Sequence, residues 1–360
     1  MKLPLAACLC AACLCAACLC AACFAADAPT PAAIDAIFAD YARPGVPGAS
    51  VIVIRDGKPV FTRAYGLAER EARTVATPAT NYRLASVTKQ FTAMAVMILA
   101  DRKRLSYDDP VTRFFPGFPA YGREVTIRRL LNHTSGLKDY ESLMPPDQKE
   151  QIHDAGVLDL LSRQSACDFP PGSKWSYSNS GYAVLALVVE KASGLRFAEF
   201  LRRNIFAPLG MKNTVAFEQG VSTVVSRAYG YSATPSGFER TDQSPTSAVL
   251  GDGGIYSSVE DLCQWDQALY GTRLVRAETL RLAFTPGVLN DRTRTAYGFG
   301  WEVGEYRGLP TLRHSGSTIG FRNHILRIPE KRFTVVILTN RNGGDPAKLA
   351  ERIADLYLYN

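Results

Sequence analysis

Beyond residue 23 this 360-residue chain has only two cysteines, Cys167 and Cys263, so its fold does not rest on a disulfide framework. In an oxidising compartment the two could pair, which their spacing does not decide. No run of five Lys or Arg occurs, and the surplus of 41 basic over 34 acidic side chains is diffuse, so no nucleic-acid partner is expected. Gly-x-Ser-x-Gly, His-Glu-x-x-His and Gly-x-x-x-x-Gly-Lys are all absent, and Cys-x-x-Cys does not occur past the N-terminal stretch. Neither a metal nor a nucleotide cofactor is therefore expected. Residues 27 to 360 contain no linker, low-complexity tract or internal repeat and read as a single domain. With 47% hydrophobic and 21% charged residues, the chain has enough apolar surface to bury a core, which excludes a disordered or fibrous protein.

The other seven cysteines lie in Ala-Ala-Cys-Leu-Cys pentads running from Ala6 to Cys20 and on to Cys23. Lys2, an apolar stretch from Leu3 to Phe24, and small residues at Ala25, Ala26 and Ala28 form the three sections of a secretory signal. Residues 1 to 26 are expected to be removed on export, giving a periplasmic or secreted protein. The apolar run is also long enough to span a bilayer, and Leu5-Ala6-Ala7-Cys8 is similar to a lipoprotein cleavage box with a short hydrophobic section before it. Membrane association is expected only if the N-terminus is retained or lipidated.

Ile34, Ile37, Phe38 and Tyr41 recur at helical spacing, and Ala49 to Ile54 and Val60 to Tyr65 alternate as strands around an Asp56-Gly57 hairpin signal. Residues 80 to 280 carry mostly helical patterns and loops, including Phe91 to Ala100 and Tyr182 to Ala192. Strand signals resume at Arg313 to His314, and Arg322 to Ile328 and Phe333 to Leu338 pair across the Pro329-Glu330-Lys331 turn. Asp345 as N-cap and Pro346 at the first helical position open a last helix with Leu349, Ile353 and Leu356 as its core face. The pattern predicts an α+β fold: an antiparallel sheet built from both chain ends, flanked by terminal helices, with a mostly helical region inserted. A site is expected in the cleft between sheet and insertion.

Ser86-Val87-Thr88-Lys89 stands at the head of the Phe91 to Ala100 helix, where a serine and a lysine three apart share a face and the helix N-terminus favours negative charge on oxygen. Ser-x-x-Lys alone is weak evidence, with roughly one chance match expected in such a chain. Ser135-Gly136-Leu137-Lys138 is the second match, but its glycine argues for a loop. Tyr177-Ser178-Asn179 follows a Pro-Pro-Gly loop, and in an extended segment its first and third residues would face one way. His314-Ser315-Gly316 ends an alternating stretch, where glycine would let a substrate backbone come close. A nucleophile beside an amine, a second proton carrier and a polar strand with a glycine are the parts required for acyl transfer through an acyl-enzyme.

In this order the three motifs make the chain resemble the serine β-lactamase and penicillin-binding protein superfamily. Tyr-x-Asn makes it similar to the class C β-lactamase-related branch, which includes D-alanyl-D-alanine carboxypeptidases, D-amino-acid peptidases and esterases. Leu130 to Leu137, Gly253-Gly254-Ile255-Tyr256-Ser257 and Tyr297-Gly298-Phe299-Gly300-Trp301 extend the resemblance over most of the chain. It implies a β-lactamase/transpeptidase-like fold, with Ser86 as nucleophile and Lys89 and Tyr177 managing protons. It also implies Asn179, His314, Ser315, Gly316 and Ser317 as substrate-binding residues, an oxyanion hole from the N–H groups of Ser86 and Ser317, and a structural turn at His133 to Gly136. The expected activity is hydrolysis of an ester or peptide amide, on a small-molecule or peptide acyl substrate that includes cell-wall fragments. A true class C-like β-lactamase, or a penicillin-binding sensor acylated without turnover, are the alternatives. Most β-lactamases of the superfamily carry Lys-Thr-Gly where this chain has His314-Ser315-Gly316. A histidine there is expected to attract an anionic substrate weakly at pH 7 and more strongly toward pH 6.

Overall fold

Asp56 and Gly57 adopt φ of 51° and 80°, the pair of left-handed residues that a two-residue hairpin turn requires. They join β1 (Ala49–Arg55) to β2 (Lys58–Tyr65), where the sequence places the hairpin. The computed structural model describes residues 29–359, so the expected signal at 1 to 26 lies outside the described residues. Four more strands come from the far end of the chain: β3 (Glu302–Tyr306), β4 (Leu309–Thr318), β5 (Phe321–Ile328) and β6 (Phe333–Thr339). They assemble in the order β3-β4-β5-β6-β1-β2 with every neighbouring pair antiparallel. The two chain ends meet at β1 and β6, in register from Ala49 opposite Thr339 to Arg55 opposite Phe333.

In chain order the main helices are α1 (Pro31–Ile37), α2 (Lys89–Asp101), α3 (Asn179–Ser193), α4 (Val259–Ala268) and α5 (Pro346–Leu358), of which α1 and α5 pack on one face of the sheet and α4 on the other. Because side chains alternate along a strand, Val51, Val53, Val335 and Ile337 point toward α1 and α5, and Ile52, Ile54, Val336 and Leu338 point toward the inserted helical region. Burial on both faces explains why β1 and β6 are almost continuously aliphatic. The expected core face of α5 is rotated: Ala350, Ile353, Ala354 and Tyr357 are buried, whereas Leu349 and Leu356 are only partly so. The two alanines let the helix axis lie close to the sheet, and the leucines close the flanks.

α2 is buried on every side from Lys89 to Leu99, which places it as the central post between sheet and insertion. Its polar side chains are paired: Gln90 Oε1 accepts from Trp265 Nε1 at 2.9 Å, and Thr92 Oγ1 donates to the Gly251 carbonyl at 2.7 Å. Beneath it, the Arg327 guanidinium of β5 donates to Asp266 of α4 at 2.6 Å, both side chains 1% exposed, and Thr334 Oγ1 donates to the same carboxylate oxygen at 2.8 Å. The sequence pattern predicts neither β3, whose Glu-Val-Gly-Glu-Tyr does not alternate apolar with polar, nor a three-stranded sheet of Tyr82–Arg83, Ile255–Ser257 and Val215–Ala216, whose two- and three-residue strands are too short to show alternation. Cys167 and Cys263 are free thiols. Among the described residues no helix is long and apolar enough to cross a membrane.

Candidate active site

The strand Tyr82–Arg83 delivers the chain into a 3₁₀ turn, Ala85–Thr88, that runs straight into α2. Ala85 takes φ of 49°, a left-handed conformation costly for a residue with a Cβ, and it immediately precedes Ser86. β4 passes close behind this turn. A Cβ on Gly316 would lie 2.1 Å from the Leu84 carbonyl oxygen, so only glycine fits. The close approach expected for a substrate backbone at Gly316 is thus made by the chain's own segment leading into Ser86.

Lys89 has no exposed surface, and its Nζ lies 3.0 Å from Ser86 Oγ. It also donates to Asn179 Oδ1 at 2.8 Å and to the Asp252 carbonyl at 3.1 Å. The rings of Tyr177 and Tyr182 lie 4.9 and 5.6 Å from it, centroid to nitrogen, and among the described residues no carboxylate comes within ion-pair distance. The amine therefore faces neutral oxygens and two aromatic rings, with Ser86 as the one contact that can exchange a proton with it directly. By contrast, Ser135 Oγ accepts from Leu137 N at 3.3 Å in its own loop and makes no hydrogen bond to Lys138.

Tyr177 and Asn179 converge on Lys89 without sharing an extended segment, because Asn179 is already the first residue of α3. Tyr177 is held from behind by His133, whose ring centroid is 4.3 Å from its own. The His133 carbonyl accepts from Ser176 N at 2.9 Å and His133 Nδ1 accepts from Ser178 N at 3.2 Å, so one residue clamps the backbone on both sides of the tyrosine. Burial, with Lys89 nearby, holds the His133 imidazole well below its ordinary pKa and therefore neutral.

A cleft opens over Ser86 and Asn179, with Ser317 and Thr318 of β4 along one wall. The opposite wall is acidic. Asp252 accepts from Tyr140 Oη at 3.0 Å, and Glu141 accepts from Asn179 Nδ2 at 3.3 Å. Burial pushes the Asp252 carboxyl up to about 6 despite the pull of Lys89, and burial with the neighbouring Asp139 raises Glu141. Arg83 lines the same cleft but donates to the Ser247 and Gly253 carbonyls, at 2.7 and 3.3 Å, bracing the loop. Neither acid was singled out from the sequence; the signal available was Asp252 directly preceding Gly253-Gly254-Ile255. Among the described residues no group of three or more His, Cys, Asp or Glu could hold a metal.

His314 is 2% exposed and faces inward: Nδ1 donates to the Ser315 carbonyl at 2.7 Å, and Nε2 pairs with Tyr297 Oη at 2.8 Å. The Ser315 hydroxyl pairs with His324 Nδ1 at 2.9 Å, on the face of the sheet opposite His314. Burial, reinforced by Lys89, pulls His314 down to about 3, which corrects the expected rise in its charge toward pH 6. Because its folded pKa lies below the unfolded value near 6.5, His314 contributes stability that is present above pH 6.5 and is lost as pH falls toward 3. The stability advantage of the wild type over His314→Gln is therefore expected to shrink between pH 7 and pH 4 in urea unfolding. An advantage that does not change with pH would contradict a buried neutral ring.

Residues 34–358 match the Beta-lactamase family. Penicillin-binding protein 4* of Bacillus subtilis (strain 168) is 34% identical over 310 residues, an alignment that covers 81% of this chain and 68% of that protein. The D-aminopeptidase of Brucella anthropi is 30% identical over 304 residues, covering 83% of this chain but only 57% of the relative. Among solved structures, D-amino acid amidase from Ochrobactrum anthropi SV3, complexed with L-phenylalanine amide, superposes with a TM-score of 0.78 at 26% identity, covering 90% of this chain and 97% of the other.

Proposed function

We propose that this chain, which belongs to the beta-lactamase family, is an exported serine hydrolase which cleaves amides and esters of amino acids bearing a free amino group, through an acyl-enzyme on Ser86. The observation that carries the reaction type is the contact of Lys89 Nζ with both Ser86 Oγ and Asn179 Oδ1 inside a walled cleft. The Ser86 proton passes to the Lys89 and Tyr177 unit as Oγ attacks the acyl carbon, and the N–H groups of Ser86 and Ser317 receive the developing oxyanion. The leaving group takes the proton, and water then hydrolyses the ester on Ser86. Asn179 orients the substrate amide, and Gly316 keeps β4 against the nucleophile turn.

Charge supports the choice of substrate. Asp252 and Glu141 are carboxylates that burial holds above their ordinary range, and an ammonium placed between them offsets the hydration they have lost. His314, neutral and bonded through both nitrogens, offers no charge to the carboxylate that a penicillin carries. Relatives named D-aminopeptidase and D-amino acid amidase agree with this chemistry. At pH 7.5 a free-amine D-alanine p-nitroanilide is expected to exceed both its N-acetyl form and a chromogenic cephalosporin by about tenfold in kcat/KM, and Glu141→Gln should narrow the first gap. A cephalosporin hydrolysed faster than every amine substrate would make the chain a β-lactamase, and acylation without release would make it a sensor. Export rests on the three-part N-terminus, and N-terminal sequencing of protein from a secreting host should find a start near residue 27.

A further inference from the structure

Asp154 lies outside the cleft and is 7% exposed, yet its carboxylate holds a segment almost a hundred residues further along the chain. Oδ2 accepts from Leu250 N and Oδ1 from Gly251 N, each at 2.9 Å. These two N–H groups open the four-residue turn Leu250–Gly253, whose internal closure is a Gly254 N to Leu250 O contact of 3.3 Å. A single helical turn is unstable alone, so this one depends on what binds its ends.

Three successive carbonyls of that turn grip the catalytic helix and the strand before it. Gly251 O accepts from Thr92 Oγ1 at 2.7 Å, Asp252 O from Lys89 Nζ at 3.1 Å, and Gly253 O from Arg83 Nε at 3.3 Å. The other side has no slack, since a Cβ on Gly251 would lie 2.2 Å from the Tyr182 carbonyl oxygen of α3. A carboxylate that fixes the first two N–H groups therefore fixes where these carbonyls point.

We propose that Asp154 is a positioning residue for Lys89: by capping the Leu250–Gly253 turn it aims the Asp252 carbonyl at the amine and so sets the amine on Ser86. Without the cap, two buried N–H groups lose their acceptor and the turn shifts to find others. Lys89 loses one of its three fixed contacts, and displacement of a catalytic group by about 1 Å lowers the chemical step rather than substrate binding. Asp154 itself touches neither substrate nor Ser86.

The test compares Asp154→Ala, Asp154→Asn and, as a stability control, Asp345→Ala, which removes the cap of α5 that accepts from Lys348 N at 3.1 Å far from the cleft. Each is assayed below its own melting temperature for kcat, for KM and for the rate at which a fluorophosphonate labels Ser86. Asp154→Ala is expected to lower kcat and the labelling rate about tenfold or more with KM within twofold. Asp154→Asn, which keeps one acceptor, should fall only about threefold, and Asp345→Ala should keep the wild-type kcat. Should Asp154→Ala not fold, Asp154→Asn decides alone. Wild-type labelling and kcat in Asp154→Asn and Asp154→Ala, a loss confined to KM, or an equal kcat loss in Asp345→Ala would each overturn the proposal. The inference rests on the Ser86 and Lys89 site, and the labelling rate separates the two failures. A wild type that no probe labels undermines the hydrolase, whereas one that is labelled as fast as Asp154→Ala undermines only the role of Asp154.

Discussion

Lys89→Ala is expected to lower kcat/KM by about 10³, Tyr177→Phe by about 10², and the double variant to fall little below the worse single. The first magnitude follows from what surrounds the amine. Lys89 Nζ is 3.0 Å from Ser86 Oγ, and among the described residues no carboxylate pairs with it and no other side chain forms a hydrogen bond to Ser86 Oγ that could take its proton. The expected smaller loss for Tyr177→Phe follows from its place beside the amine, with its ring centroid 4.9 Å from the same nitrogen. Because both act on one proton, removing the second after the first loses little more. Initial-rate kinetics on the four proteins check this, with melting temperatures to show that each is folded. Losses that multiply fully would mean that the two residues serve separate steps.

The largest expected change in stability lies away from the cleft. Arg327 and Asp266 are each 1% exposed, with the guanidinium 4.6 Å from the Tyr270 ring centroid and 5.6 Å from that of Trp301. Replacing either partner alone leaves a buried charge without its counter-ion and is expected to cost about 3–5 kcal/mol in urea unfolding. Asp266→Leu should be the worse, because Thr334 Oγ1 also loses its acceptor. The double variant Arg327→Met with Asp266→Leu fills similar volume with apolar atoms and should recover most of the loss. Single variants that cost less than about 1 kcal/mol would show that water reaches the pair.

The parts of this fold that were legible in the sequence are those decided by neighbours along the chain. Asp56-Gly57 supplies both positive φ values of its hairpin, and Pro346 after Asp345 starts α5. The continuous apolar run of α2 declares a buried helix, and the spacing of Ser86 and Lys89 puts one on the other. What was not legible depends on partners far away in sequence. Asp252 and Glu141 acquire their raised pKa values only because the loops that carry them fold over α2 and α3. His314 reads as a titrating histidine at a strand end until Tyr297 and the burial of β4 are known. Gly316 reads as room for a substrate until Leu84 fills it. The clamp of His133 on Ser176 and Ser178 spans more than forty residues, and nothing in the local pattern at either end announces it.

The assignment of Ser86 as the nucleophile is decided by intact-mass spectrometry after exposure to a fluorophosphonate probe, followed by peptide mapping. One adduct per chain is expected, on the peptide that contains Ser86; it should be absent from Ser86→Ala and unchanged in Ser135→Ala. An adduct that survives Ser86→Ala, or that maps to the peptide containing Ser135, would contradict the claim.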